Sequence, residues 1–142
     1  YIANDFDNQF HADTQHDITH LPFEKEKFDL VICFHVLEHI PNDNQAINNL
    51  YNVLKTNGNL LIQVPLKDGN TDEDLSITDP KQREERFGQS DHVRVYGKDD
   101  LKNKLEAVGF KTKIIDYAET FSTKKLTYNG IKKGELIFHC IK

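Results

Sequence analysis

His35, Glu38 and His39 stand close together in the run Phe28-Asp29-Leu30-Val31-Ile32-Cys33-Phe34-His35-Val36-Leu37-Glu38-His39-Ile40. Imidazole changes charge near neutral pH, and a neighbouring carboxylate can orient it for proton transfer. The spacing His-x-x-Glu-His also fits a zinc site when it lies on one helix, with the Glu as general base. That chemistry needs a continuous helix. Leu30 to His35 instead reads as a strand buried on both faces, because buried parallel strands have such unbroken apolar character. Pro41-Asn42-Asp43 then opens the next helix, so little more than one turn remains between them. No metal is assigned. In open α/β sheets ligands bind beyond the carboxyl ends of the strands. His39 is therefore a candidate general base for a substrate hydroxyl or amine, with Glu38 orienting it. The alternative is a hydrogen-bonded pair that shapes the turn.

A second cluster lies in Asp91-His92-Val93-Arg94-Val95-Tyr96-Gly97. If this segment is extended, His92, Arg94 and Tyr96 share one face. They are candidate substrate-binding residues, and Arg94 can clamp an acidic group bidentately. The alternative for Arg94 is a salt bridge to Glu84, Glu85 or Asp91. His11, His16, His20 and His139 are scattered and carry no assignment. The acidic stretch from Asp68 to Asp74 lacks the spacing of a calcium loop and reads as solvated.

The elements that must position these groups follow from local pattern. Tyr1 to Asp5 reads as a short strand. Residues 29 to 35 form the central strand. Asn42 or Asp43 caps a helix whose face is Ala46, Ile47, Leu50, Tyr51, Val53 and Leu54, with Asn57-Gly58 as its stop. Asn59 to Val64 is a second buried strand, so the unit implies a parallel pair joined by a crossover. Residues 66 to 80 read as a long loop. Asp79-Pro80 starts a short helix that Gly88 ends. Lys98 to Val108 reads as a helix, Phe110 to Tyr117 as a strand, and Glu135 to Ile141 as an antiparallel strand at or near an edge. Residues 119 to 131 give no clear pattern.

Composition sets the bounds. The 142 residues suit one domain and carry a net charge of −5. No basic cluster argues for nucleic acid or an anionic membrane surface. No apolar run approaches the ~20 residues of a membrane span, and no secretory signal is visible. Cys33 and Cys140 sit in apolar runs and read as buried thiols of a reducing, cytoplasmic protein. Methionine is absent, including at position 1, which reads as an interior start.

The spaced pieces Asp17-Ile18, Leu21-Pro22-Phe23, Phe28-Asp29-Leu30-Val31, Leu37-Glu38-His39-Ile40 and Leu50 through Leu60 together resemble class I S-adenosylmethionine-dependent methyltransferases. The likeness is to the small-molecule group and is strong over residues 1 to about 66. It implies an α/β, Rossmann-like, mostly parallel sheet with flanking helices and an antiparallel C-terminal strand, its first strand missing. The resemblance places Asp5 at the cofactor ribose, with Asp7 as competitor. Asp17 and Ile18 fall at the adenine, and Phe34 and His35 beside the methionine part. Lys55-Thr56-Asn57-Gly58 stands where the family has Lys-Pro-Gly-Gly. The family's Gly-rich loop would precede Tyr1, so the expectation is a partial domain that by itself binds cofactor weakly or not at all. Residues 1–65 would be its cofactor-side half, 66–97 a substrate lid, and 98–142 the C-terminal helix and strands. The implied partners are a small-molecule methyl acceptor and, across an exposed strand edge, either a second copy of the chain or a separate upstream segment that completes the sheet. A non-catalytic binding or assembly module of the same fold is the competing expectation.

Overall fold

Strand β1 (Phe28–Phe34) and strand β2 (Leu54–Gln63) pair in parallel, with Val31 opposite Leu60 and Cys33 opposite Ile62, in a computed structural model that describes residues 1–6 and 11–142. Helix α1 (Asp43–Val53) joins them. Asn42 is its cap and accepts from the Gln45 N–H at 3.3 Å. Ala46, Ile47, Leu50 and Val53 recur on one buried face, as the helical spacing requires.

The helix stops at Val53, ahead of the expected Asn57-Gly58. Its last carbonyls find partners outside the helix, Asn52 O from Glu26 N and Val53 O from Lys27 N. Leu54 is then free to enter the sheet with its side chain fully buried. Asn57 does adopt a positive φ of 63°. It lies in an excursion that interrupts the β1–β2 register between Phe28 and Leu30. The C-terminus ties this excursion down, through Asn57 N to Lys142 O at 3.0 Å and Lys142 N to Gly58 O at 3.1 Å.

Three further elements complete the main layer: helix α3 (Lys98–Val108), strand β6 (Lys111–Ile115) and strand β7 (Ile137–Ile141). The sheet order is β1-β2-β7-β6, with β7 antiparallel to both neighbours. The C-terminal strand is thus antiparallel, as expected, and lies second from the edge. Leu60, Ile62, Phe138 and Cys140 join Ala46, Ile47 and Leu50 of α1 and Leu101 and Leu105 of α3 in one core cluster. Burial of each such aliphatic side chain contributes about 1.5–3 kcal/mol.

β1 departs from expectation. Only its Val31 and Cys33 face turns to the core, while Leu30, Ile32 and Phe34 on the other face are 50%, 57% and 37% exposed. A continuous apolar run does not reveal that one of its faces is uncovered. Residues 1 to 5 form no strand, only an isolated bridge between Asn4 and Thr14. Their backbone is served by Asp13 and Thr14 instead, with Ala3 N donating to Asp13 Oδ2 at 2.8 Å. Asp7 lies outside the described residues.

The segment read as a loop carries strands β3 (Leu66–Lys67) and β4 (Asp72–Glu73), which flank strand β5 (Arg94–Gly97) in a second small sheet. Two-residue strands have no periodicity to read. Helix α2 (Pro80–Phe87) lies between them in sequence, capped by Asp79 on Gln82 N at 3.0 Å and closed by Gly88. Tyr117, expected to end a strand, instead opens a short 3-10 turn (Tyr117–Thr120), and the segment without a clear pattern carries helix α4 (Thr123–Asn129). Among the described residues, no helix is long and apolar enough to cross a membrane. Both cysteines are free and buried.

Candidate functional site

β1 ends abruptly at His35. Its φ of 52° turns the chain out of the sheet, while its N–H still donates to Gln63 O at 2.8 Å. Left-handed backbone is uncommon for a residue with a side chain and is typical of turns at sites. A single 3-10 turn (Leu37–His39) follows, so no continuous helix carries His35 and His39. Glu38 is fully buried on this turn and His39 is partly exposed. Burial, reinforced by the Glu38 charge, pushes the nearby Cys33 thiol up to about 12, so Cys33 is no nucleophile.

The turn is held from β5, where Arg94 and Tyr96, expected at the substrate, direct their polar groups to this brace. Arg94 is fully buried. It donates to the carbonyls of Leu37 (2.9 Å), Ile40 and Pro41 (2.9 Å), and its Nε pairs with Glu73. Leu37 O also accepts from Ile40 N at 3.2 Å, which closes the 3-10 turn, and the planar guanidinium fork gathers it with the carbonyls of Ile40 and Pro41. The partner carboxylate is Glu73, not Glu84, Glu85 or Asp91. Tyr96 is buried and donates to Asp43 Oδ2 at 2.6 Å. Burial and the Asp43 charge raise its hydroxyl far above the usual range, so it remains protonated. Asp43 also accepts from Lys104 Nζ at 2.7 and 2.8 Å. Glu73 and Lys104 carry no sequence signal, and Asp43 was expected only as a helix cap. The alternation of residues 92, 94 and 96 showed a shared face, but not that the face points inward.

His92 is buried as well and stands with the turn. Val93 N donates to Glu38 O at 3.0 Å, pulling the segment against Glu38. The His39 and His92 rings meet edge to face with centroids 4.6 Å apart. His39 Nδ1 lies 3.0 Å from Asp91 Oδ2, and His35 Nδ1 lies 3.3 Å from Glu38 Oε1. The two sequence clusters are thereby one site at the carboxyl end of β1.

The residues assigned to adenine lie elsewhere on the surface of α1. Asp17 caps the 3-10 turn Ile18–His20, accepting from Thr19 N at 2.7 Å and Thr19 Oγ1 at 2.8 Å. These bonds hold its carboxyl below the usual range, so it is charged at neutral pH. Ile18 is half-buried, and its carbonyl accepts from Asn49 Nδ2 at 3.1 Å. Both Thr19 bonds fall on Asp17 Oδ1, and Oδ2 lies 3.7 Å from His20 Nδ1. A half-exposed carboxylate beside an apolar side chain fits an exocyclic amine and a ring face. Asp5 is half-buried and its N–H donates to Thr14 O at 3.1 Å.

The family model described as "Methyltransferase domain" matches residues 2–113. The chain belongs to that family. The methyltransferase domain is 46% identical over 48 residues to a ubiquinone biosynthesis O-methyltransferase from Glaesserella parasuis, a stretch covering 34% of this chain and 19% of that protein. The chain spans about a quarter or less of the length of the curated relatives it matches. Among solved structures, a putative methyltransferase from Bacillus halodurans superposes with TM-score 0.56 at 21% identity, over 91% of this chain and 70% of that one. A Haemonchus contortus phosphoethanolamine N-methyltransferase, solved with S-adenosyl-L-methionine, gives 0.58 at 17% identity, over 91% and 36%. These neighbours bear out the Rossmann-like α/β fold.

Proposed function

We propose that this methyltransferase domain serves S-adenosylmethionine-dependent methyl transfer to a small-molecule acceptor, with the acceptor standing at the Glu38–His39 turn. The observation that carries the reading is the junction at the end of β1. There the chain leaves the sheet at a left-handed His35, and a buried arginine fixes the turn that follows. Ligands of open α/β sheets bind at such strand ends.

When bound, the cofactor supplies a methyl group on a positively charged sulfur. Asp17 would accept from the adenine amine, with Ile18 against the ring. Asp5 would take the ribose hydroxyls, and Phe34 with His35 would flank the methionine end. Transfer of this kind depends mainly on holding donor and acceptor in line, so Glu38 and His39 act by positioning the acceptor. His92 belongs with them, whereas Arg94 and Tyr96 brace the turn from behind. The ubiquinone biosynthesis relative supports an oxygen acceptor.

The test incubates the protein with methyl-tritiated S-adenosylmethionine and a cell extract, then separates products by size. Label is expected in the small-molecule fraction and absent with His39→Ala. Label confined to protein or nucleic acid would overturn the acceptor class, and no label from protein shown by titration to be loaded with cofactor would favour a non-catalytic module.

A further inference from the structure

Glu38, His39 and His92 each offer a ligand-capable atom, and these atoms lie within 4.8 Å of one another. Glu38 Oε2 and His92 Nε2 are buried with no hydrogen-bond partner. Buried polar atoms in folded proteins are nearly always partnered, and these two are 0% and 4% exposed residues aimed at one place.

The outer neighbours occupy one atom of each side chain. Phe87 O can only accept, so His92 Nδ1 donates to it at 3.2 Å, and Nε2 is the ring atom left without a partner. His39 Nδ1 lies 3.0 Å from Asp91 Oδ2, which leaves His39 its Nε2 to offer. His35 Nδ1 faces Glu38 Oε1 at 3.3 Å, which leaves Oε2 over. One ligand-capable atom of each of the three side chains is thus left over, with Glu38 Oε2 and His92 Nε2 buried and unpartnered. Arg94, the nearest fixed cation of the turn, is spent on carbonyls and Glu73. Such a group repels itself unless a positive charge stands among its members.

We propose that Glu38, His39 and His92 bind a divalent transition-metal ion, with zinc the best match. Two imidazoles and one carboxylate are borderline donors that suit zinc, whereas magnesium and calcium favour all-oxygen shells. Three protein ligands leave one position open, the pattern of reactive rather than structural zinc. The outer partners, a carboxylate on one histidine and a backbone carbonyl on the other, are those that orient metal-bound imidazoles. The site differs from the helical His-x-x-Glu-His arrangement, since His35 supports Glu38 and the second imidazole arrives from the segment before β5. It also revises the expectation that no metal is bound. The role of the ion rests on the methyl-transfer reading: an acceptor oxygen in the open position would be held and made more acidic. Binding of the ion does not depend on that reading.

The test strips the protein with a chelator, then titrates it with Zn²⁺ against a chromophoric competitor and with Co²⁺ by visible absorption. One ion per chain is expected, with cobalt bands of a low-coordinate nitrogen and oxygen site. His92→Ala and Glu38→Gln should weaken binding by more than about 100-fold, and Asp91→Ala by about 10–100-fold. His39→Gln alters a partly exposed side chain, so circular dichroism should stay native while affinity falls about 100-fold. His20→Ala should change nothing. Absence of binding, or binding untouched by His39→Gln, would show that a proton shared between Glu38 and His92 fills the site instead and overturn the proposal. Zinc binding without methyl transfer would overturn the functional reading alone. Cofactor binding without zinc would overturn the metal site alone.

Discussion

Arg94→Met is expected to cost about 3–5 kcal/mol of stability in the absence of any ligand, read by urea denaturation. The guanidinium is fully buried and donates to the carbonyls of Leu37, Ile40 and Pro41 while pairing with Glu73. Asp43 Oδ2 lies 3.9 Å from its Nε. Methionine fills much of the volume but removes the guanidinium from three carbonyl groups and from Glu73, while Asp43 keeps Tyr96 and Lys104. Loss of charge-assisted hydrogen bonds to buried carbonyls dominates that cost. Arg94→Lys is expected to recover little, because an ammonium on a flexible stem cannot serve three carbonyls spread along a turn. A residue kept for substrate alone would behave differently, with stability near wild type and only affinity lost.

Gly97→Ala should cost about 3 kcal/mol, at the upper end of overpacking effects. The reason is steric. Gly97 has an ordinary φ of −74°, so alanine is not strained by backbone angle. Its Cβ, however, would sit 2.2 Å from Gly69 O, 2.8 Å from Thr71 N and 2.9 Å from Asn70 C. All three are backbone atoms, and the 69–71 segment must move to admit a methyl group. That segment is pinned through Gly97 N to Thr71 Oγ1 at 3.0 Å and Thr71 N to Asp100 Oδ2 at 2.6 Å. It leads into Glu73, the partner of Arg94. The Gly97→Ala and Arg94→Met losses should therefore sum to less than their separate values, since both release Glu73. Additive losses by thermal unfolding would show that the two sites are independent.

Both predictions concern features the amino-acid pattern did not disclose. Helices α1, α2 and α3 were legible because their signals are local: caps at Asn42 and Asp79, an apolar face at helical spacing, and Gly88 as a stop. The parallel pairing of β1 with β2 followed from the strand–helix–strand order. The bracing of the Glu38–His39 turn was not legible. It joins residues more than fifty positions apart, and nothing near Arg94 says whether its face turns to solvent or to a turn made of residues 37 to 41. The same distance hid the meeting of His92 with Glu38 and His39. The two clusters were each visible; that they form one site depends on β5 lying between β3 and β4. Burial of β1 was misread because periodicity reports that a run is apolar, not what covers each face.

The most direct test of the central claim is an NMR titration of the protein with S-adenosylhomocysteine at millimolar concentration, where weak binding suffices. The account predicts amide shifts at Phe34, His35, Asp17 and Ile18, smaller shifts along the Glu38–His39 turn, and a response weakened about tenfold by Asp17→Ala, the loss of one hydrogen bond to a charged group. Shifts confined to the far end of the sheet, or no shifts at all, would contradict it.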